Sequence, residues 1–267
     1  MKKIFGRILI ALAALMTLCA FAAAEESIDL LKIIQERGYI TIATEGDWAP
    51  WTYHDEDNNL VGLDVELGQA IAEKLGVEAR FEETGWDAIL AGVDSGRFDI
   101  ACNGVSYTEE RAEKYNFSTP YVVNKVVLVV RGDNEEITSF EDLNGKTTTN
   151  TVSSIYAEMA EGYGATVIGV DALADTIQLV LQGRADATVN SQVSINDYML
   201  EHPEANLKIV AEVEGDVVCI PVRKSDETAT LMDAINAALE EMREDGSLKA
   251  LSEKYFNGLD LTGTTEE

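Results

Sequence analysis

The 267-residue chain carries 48 Asp and Glu against 20 Lys and Arg, a formal charge of -28 and a pI near 4.2. A field of that sign repels nucleic acid and anionic membrane surfaces, which excludes both as partners. The length leaves room for two ordinary domains or one large one.

Residues 1–24 read as an export signal. Lys2, Lys3 and Arg7 precede an apolar run from Ile8 to Leu18, and Ala22-Ala23-Ala24 offers a small-residue cleavage site before Glu25. The run is too short for a membrane span. Without those basic residues, 17 remain against 48 acidic ones, a charge of -31 that serves solubility. Leu18 stands where a lipid-anchoring signal wants a small residue before Cys19, so a soluble exported protein is expected. Cys102 and Cys219 remain; in an oxidising compartment they can pair, or they can serve as buried thiols.

A polar helix over 28–36 ends at Gly38, and the β-branched run 39–43 reads as a strand feeding the loop Glu45 to Trp51. A turn at 55–59 precedes Asp64, the expected N-cap of a helix that places Leu67, Ile71 and Leu75 on one face and stops at Gly76. After a strand over 77–81, Thr84 to Asp87 resembles a capping box, opening a helix with Trp86, Ile89, Leu90 and Val93 inward. A short strand over 98–101 leads through Gly104 to a helix capped by Thr108, with Glu109 and Glu110 in its first turn. Strands are predicted over 126–130, 147–150, 166–170, 207–210 and 217–222, and helices over 139–143, 155–162, 173–181, 193–200, 228–243 and 248–255. Strand and helix alternate, which argues for a parallel, doubly wound α/β sheet.

One segment recurs. Gly96-Arg97-Phe98-Asp99-Ile100-Ala101-Cys102-Asn103 has a counterpart 87 residues later in Gly183-Arg184-Ala185-Asp186-Ala187-Thr188-Val189-Asn190. Each copy follows an amphipathic helix and ends a short strand on asparagine. Two similar α/β lobes account for it, with the chain crossing between them near 122–125 and 218–221. The expected lobes are residues 25–124 with 219–267, and 125–218.

Ligands of open α/β sheets sit beyond the carboxyl ends of strands, here the loops 45–51, 103–111, 150–154 and 190–192. Facing each other across a cleft, these loops offer one arginine, hydroxyls, amides, two tryptophans and a carboxylate or two. That set suits a zwitterion better than a phosphate or a hydrophobe. Arg111, with Ser106 and the free amides near Gly104, makes an oxyanion corner; equally, Arg111 could pair with Glu110 or Glu113 on a solvated helix face. His54 and His202 read as surface residues. Metal, phosphate-loop and nucleophile motifs are missing, so no catalytic residue, cofactor or metal is expected.

Several runs, in order, cover nearly all of 28–256: Thr44-Glu45-Gly46-Asp47-Trp48-Ala49-Pro50-Trp51, Leu60 to Glu66, Val105-Ser106-Tyr107-Thr108-Glu109-Glu110-Arg111, Phe117-Ser118-Thr119-Pro120-Tyr121 and Gly183 to Ala187. They resemble the extracytoplasmic polar-amino-acid-binding proteins of ABC importers, a type II periplasmic-binding-protein fold. The Glu45-Gly46 opening and the Trp86-Asp87 pair are most similar to the cystine-binding branch. The resemblance implies two doubly wound lobes, a two-strand hinge, a monomer, and delivery of an amino acid to the permease's transmembrane subunits. It places Arg111, Ser106 and the amides of Gly104 on the ligand carboxylate, Trp48 in a stack on the ligand and Glu45 near its side chain. Leu63 falls where relatives carry a second aromatic, and Ser153 and Ser154 match a hydroxyl pair supporting the carboxylate. Trp51 and Asn103 belong to the same loops. Many relatives have an aspartate for the α-ammonium at Ser191; here Asn190, Gln192 or Glu45 substitutes, or the ligand is not a simple α-amino acid. An amino-acid-sensing module for a receptor, or a dehydratase-type enzyme with Glu45 as acid or base, are the competing readings.

Overall fold

The computed structural model describes residues 28–263, so the expected export signal and Cys19 lie outside the described residues. Helix α1 (Leu30–Arg37) starts where the Asp29 carboxylate accepts the Lys32 amide and stops at Gly38, whose φ of 80° suits a residue without Cβ. Strand β1 (Tyr39–Thr44) follows. A small antiparallel sheet of β2 (Asp47–Trp48), β3 (Thr52–His54) and β4 (Leu60–Val61) then returns the chain to α2 (Leu63–Leu75). Strand β5 (Glu78–Glu83), α3 (Trp86–Asp94) and β6 (Ile100–Ala101) complete a parallel sheet in the order β5-β1-β6. After α4 (Glu109–Ala112) and β7 (Tyr115–Phe117), the chain leaves through β8 (Val122–Arg131).

The second lobe holds β8, β9 (Thr147–Asn150), α5 (Ile155–Gly162), β10 (Thr166–Gly169), α6 (Leu173–Leu181), β11 (Ala187–Ser191), α7 (Gln192–Glu201) and β12 (Leu207–Val218). Its sheet runs β10-β9-β11-β8-β12, with β9, β10 and β11 parallel and β8 and β12 antiparallel to their neighbours. Strand β13 (Pro221–Arg223) pairs with β7 back in the first lobe. Helices α8 (Ala229–Glu244) and α9 (Ser247–Tyr255) then bury Leu231, Ile235, Leu239 and Leu248 against Ile42, Leu67 and Ile71. Each such fully buried aliphatic side chain contributes about 2 kcal/mol of transfer free energy. The hinge is the near end of the β8/β12 ladder, where Val122 lies opposite Val218.

The recurring segment does the same job twice. Asp99 Oδ2 accepts the Thr41 amide of β1 at 2.7 Å, and Asp186 Oδ2 accepts the Thr147 amide of β9 at 2.8 Å. In each copy the aspartate ties a short strand to the first parallel strand of its lobe. Gly96 and Gly183, at φ 72° and 69°, end the preceding helices alike.

Three local expectations change. Gly62, not Asp64, is the N-cap of α2; Asp64 sits inside the first turn, fully buried, accepting the Gly104 amide and, at 2.7 Å, the Tyr121 hydroxyl. The capping box at Thr84 does not form, because Gly85 occupies the cap of α3. The expected strands 207–210 and 217–222 are mostly one long strand, β12, bent by irregularities between Ile209 and Ala211 and between Glu214 and Asp216. Its acidic middle, which lies between the two expected strands, faces Lys125 of β8, which pairs with Glu212 at 2.7 Å and Glu214 at 2.9 Å. Cys102 and Cys219 are buried free thiols.

Candidate ligand-binding site

Between the lobes lies a cavity of about 580 Å³, counting its mouth. The first-lobe wall begins where β1 ends. Asn103, just beyond β6, accepts the Glu45 amide at 2.8 Å through Oδ1 and donates to Glu45 Oε2 at 2.7 Å through Nδ2. Those bonds fix the Glu45 carboxyl at the cavity, and burial pushes it up to about 7, with Asp47 and Asp171 adding repulsion. Asp47 is raised as well, chiefly by burial.

The Trp48 ring lies over the turn at Gly104. A Cβ on Gly104 would stand 2.6 Å from that ring, and its φ is 55°, so only glycine fits. Trp48 in turn stacks on Trp51, centroids 5.6 Å apart at 24°. Trp51 is fully buried and meets Phe256 edge-on at 5.1 Å.

Arg111 enters from α4, whose cap Thr108 accepts the Arg111 amide at 3.1 Å. Its Nη1 donates to the Ser106 carbonyl at 3.0 Å, and its Nη2 reaches the Ser153 carbonyl of the other lobe at 3.4 Å. The guanidinium lies 5.2 Å from the Trp86 ring centre. Among the described residues it forms no ion pair. Neither Glu110 nor Glu113 takes it. Partial burial lowers its pKa, as for a half-buried cation lacking its anion.

The second-lobe wall is built from strand ends and helix starts. Asn150, Thr151, Ser154, Ile155 and Tyr156 come from the β9–α5 junction; Asp171, Leu173 and Thr176 from that of β10 and α6; and Asn190 from the end of β11. Ser154 accepts the Ala157 amide at 3.2 Å as cap of α5 and donates to the Thr151 carbonyl at 2.6 Å. Asn190 Oδ1 accepts the Ser191 amide at 2.8 Å, which leaves its own amide free. Asn150 donates to the Val189 carbonyl at 2.5 Å, while its Oδ1 has no partner.

Of the residues singled out from sequence, Glu45, Trp48, Gly104, Ser106, Arg111, Ser154 and Asn190 line this cavity together. The others stand behind or beside it. Trp51 and Leu63 are in the first-lobe core, Leu63 opening α2 with its amide on the Pro50 carbonyl at 3.1 Å. Asn103 lies behind Glu45. Ser153 is outside, its hydroxyl on Asp87 across the lobes. Gln192 points to the edge of β12, donating to Glu212 at 3.2 Å. Ser191 is buried and accepts the Asn124 amide at 2.8 Å.

Sequence reasoning missed Trp86, read as a core residue from its helix face, and Asp171 and Leu173. The last two follow β10 at its carboxyl end, so the strand-end rule would have found them. Tyr156 carried no signal beyond its place in the first turn of α5.

Known proteins share this fold. Residues 40–258 match the bacterial extracellular solute-binding proteins, family 3. The L-cystine-binding protein TcyA of Bacillus subtilis (strain 168) is 39% identical over 230 residues, 85% of this chain and 85% of that protein. An ancestral arginine-binding protein bound to arginine superimposes with a TM-score of 0.77 at 36% identity, over 82% of this chain and 99% of that one. The L-cystine solute receptor of Neisseria gonorrhoeae in the unliganded open conformation gives 0.58 at 38% identity, over 88% and 100%. With nearly the whole described chain matched, this protein belongs to the bacterial extracellular solute-binding proteins, family 3.

Proposed function

We propose that the protein is the extracytoplasmic binding component of an amino-acid importer of the ABC class: a monomer that closes on one amino acid and presents it, unchanged, to the transmembrane subunits of a permease. The observation that carries this is Arg111, a half-buried guanidinium lining the cavity with, among the described residues, no carboxylate paired to it. Its free donors fit a ligand carboxylate in the bidentate manner. Trp48 supplies a face for the ligand's middle.

The cavity has two ends of opposite character. The charges acting on Glu45 include Asp47 and Asp171, whereas those acting on Arg111 are Glu158, Asp216 and Glu110. A ligand suited to both ends has an acid at one and an ammonium or guanidinium at the other. Cystine and arginine, named for the relatives above, both meet that description. Residues 25–124 with 219–267 form the capturing lobe in this reading, and 125–218 the lobe that folds over. A ligand touching both lobes favours the closed state by its contacts with the second.

Thermal unfolding in the presence of each of the twenty amino acids, cystine and opines tests this. Ligand at about a hundred times its Kd adds about 2.7 kcal/mol. Absence of stabilisation by every compound overturns the reading.

A further inference from the structure

Asp216 is a carboxylate on the hinge itself. It sits on β12 beside the irregularity at Glu214, directly across the ladder from Asn124 of β8, and is 3% exposed. One oxygen, Oδ1, accepts the Ser106 hydroxyl of the first lobe at 2.6 Å; the other, Oδ2, accepts the Tyr156 hydroxyl of the second at 3.1 Å. Among the described residues it has no ion-pair partner. Burial pushes its carboxyl up, against the Ser106 and Tyr156 hydroxyls, Asn124 and the charge of Arg111.

The consequence lies in where the protons go. A serine hydroxyl has one proton, and Ser106 spends it on Asp216. Toward the cavity, which Ser106 lines, its Oγ then offers lone pairs alone. An oxygen that can only accept repels a carboxylate and suits an ammonium. The Ser106 carbonyl meanwhile holds Arg111 Nη1 at 3.0 Å. One residue therefore holds the guanidinium through its carbonyl and presents an acceptor hydroxyl to the same cavity. No acid stands at the β11 end of the cavity, where Asn190 and Ser191 are neutral. Of the carboxylates acting on Arg111, Glu158 and Glu110 are exposed and Asp216 is buried.

We propose that Asp216 is the positioning residue for the ligand's α-ammonium: it turns Ser106 into an acceptor and supplies the buried counter-charge behind it. This deepens the amino-acid reading and rests on it. Arg111 holds the carboxylate and the Ser106 hydroxyl takes no part in that contact; the Gly104 amide, expected there from sequence, is taken by Asp64 instead.

Calorimetric titrations of wild type, Asp216→Asn and Ser106→Ala test it, with two pairs of probes: L-cystine and dithiodipropionate, and L-arginine and guanidinovalerate. The second member of each pair lacks only α-ammonium groups. Each variant is expected to lose about thirtyfold in affinity for the amino acid, the loss of a hydrogen bond to a charged group, while the deamino partner stays within about threefold of its wild-type value. Equal losses for both members of a pair overturn the proposal, since a structural defect or a hydroxyl on the carboxylate weakens both alike. An undiminished amino-acid affinity in Asp216→Asn overturns it too. Should Asp216→Asn fold poorly, Ser106→Ala, which only shortens a side chain, decides by the same comparison. A wild type that binds neither L-cystine nor L-arginine refutes the amino-acid reading for these ligands, and the proposal with it.

Discussion

The two walls of the cavity are built from different materials. The first-lobe wall carries Arg111, Glu45 and Asp47 with the rings of Trp48 and Trp86, each polar group held in place before any ligand arrives. The second-lobe wall is mostly neutral: Asn150, Asn190, Thr151, Thr176 and Ser154, with Asp171 alone charged at the rim. Charge-assisted bonds are roughly twice as strong as neutral ones, so affinity resides in the first wall and closure in the second. On that division capture is expected to precede folding-over, with the neutral wall adding shape and a modest increment.

Breaking the first wall has the largest expected effect. Arg111→Ala removes two charge-assisted bonds to a carboxylate, about 2 kcal/mol each, and lowers affinity about a thousandfold in calorimetry. The ligand-free variant melts no lower than wild type, because a half-buried cation without an anion costs desolvation. Affinity kept within about tenfold removes the carboxylate role from Arg111 and with it the contrast between the walls. Gly104→Ala comes next. A methyl 2.6 Å from the Trp48 ring displaces that ring or the turn, and about tenfold weaker binding at unchanged secondary structure is expected in the same titration.

Much of this was legible in the sequence, because it rests on local rules. Strand ends carry ligand loops, and Glu45, Arg111 and Asn190, expected at such ends, line one cavity. The boundaries of β9, α5 and α6 follow from period and composition alone. What was hidden depends on tertiary partners. Asp64 has a capping residue's chemistry but answers to Gly104 and Tyr121, forty and fifty-seven residues away. Asp216 falls between the two strands expected from sequence, and only the pairing of β12 with β8 and its bonds to Ser106 and Tyr156 bury it. Trp86 lies on the face of α3 that periodicity assigns to the core, yet at the helix's first turn that face borders the cleft.

The acidic end of the first wall gives a pH signature. Glu45 and Asp64 are both raised to about 7, each chiefly by burial. Between the ordinary carboxylate range and about 7 the native state holds protons that the unfolded chain releases, so the ligand-free protein loses stability as pH rises through that window. A melting series from pH 5 to pH 8 falls, and Glu45→Gln flattens it in part. Binding of a ligand with a cationic end runs the other way: ionised Glu45 favours it, so affinity for L-arginine rises about tenfold from pH 6 to pH 8, with proton release at neutral pH. A pH-independent affinity takes Glu45 away from the ligand's far end and leaves Arg111 as the one charged contact of that wall.

The smallest effect belongs to the contact between the walls. Ser153 reaches the first lobe twice, through its hydroxyl to Asp87 and through its carbonyl to Arg111 Nη2 at 3.4 Å. Both Ser153 and Asp87 are exposed, where such a bond is worth about 0.5 kcal/mol, or two- to threefold in affinity. Because it exists only after closure, its loss appears in dissociation and leaves association untouched. Stopped-flow tryptophan fluorescence on Ser153→Ala should show release about twofold faster at an unchanged on-rate. Asp87→Ala should match it, and the double variant should add nothing further, since the two substitutions delete one bond. A loss approaching that of Arg111→Ala would shift binding energy onto the second lobe, and the division between a charged capturing wall and a neutral closing wall would fail at its most sensitive point.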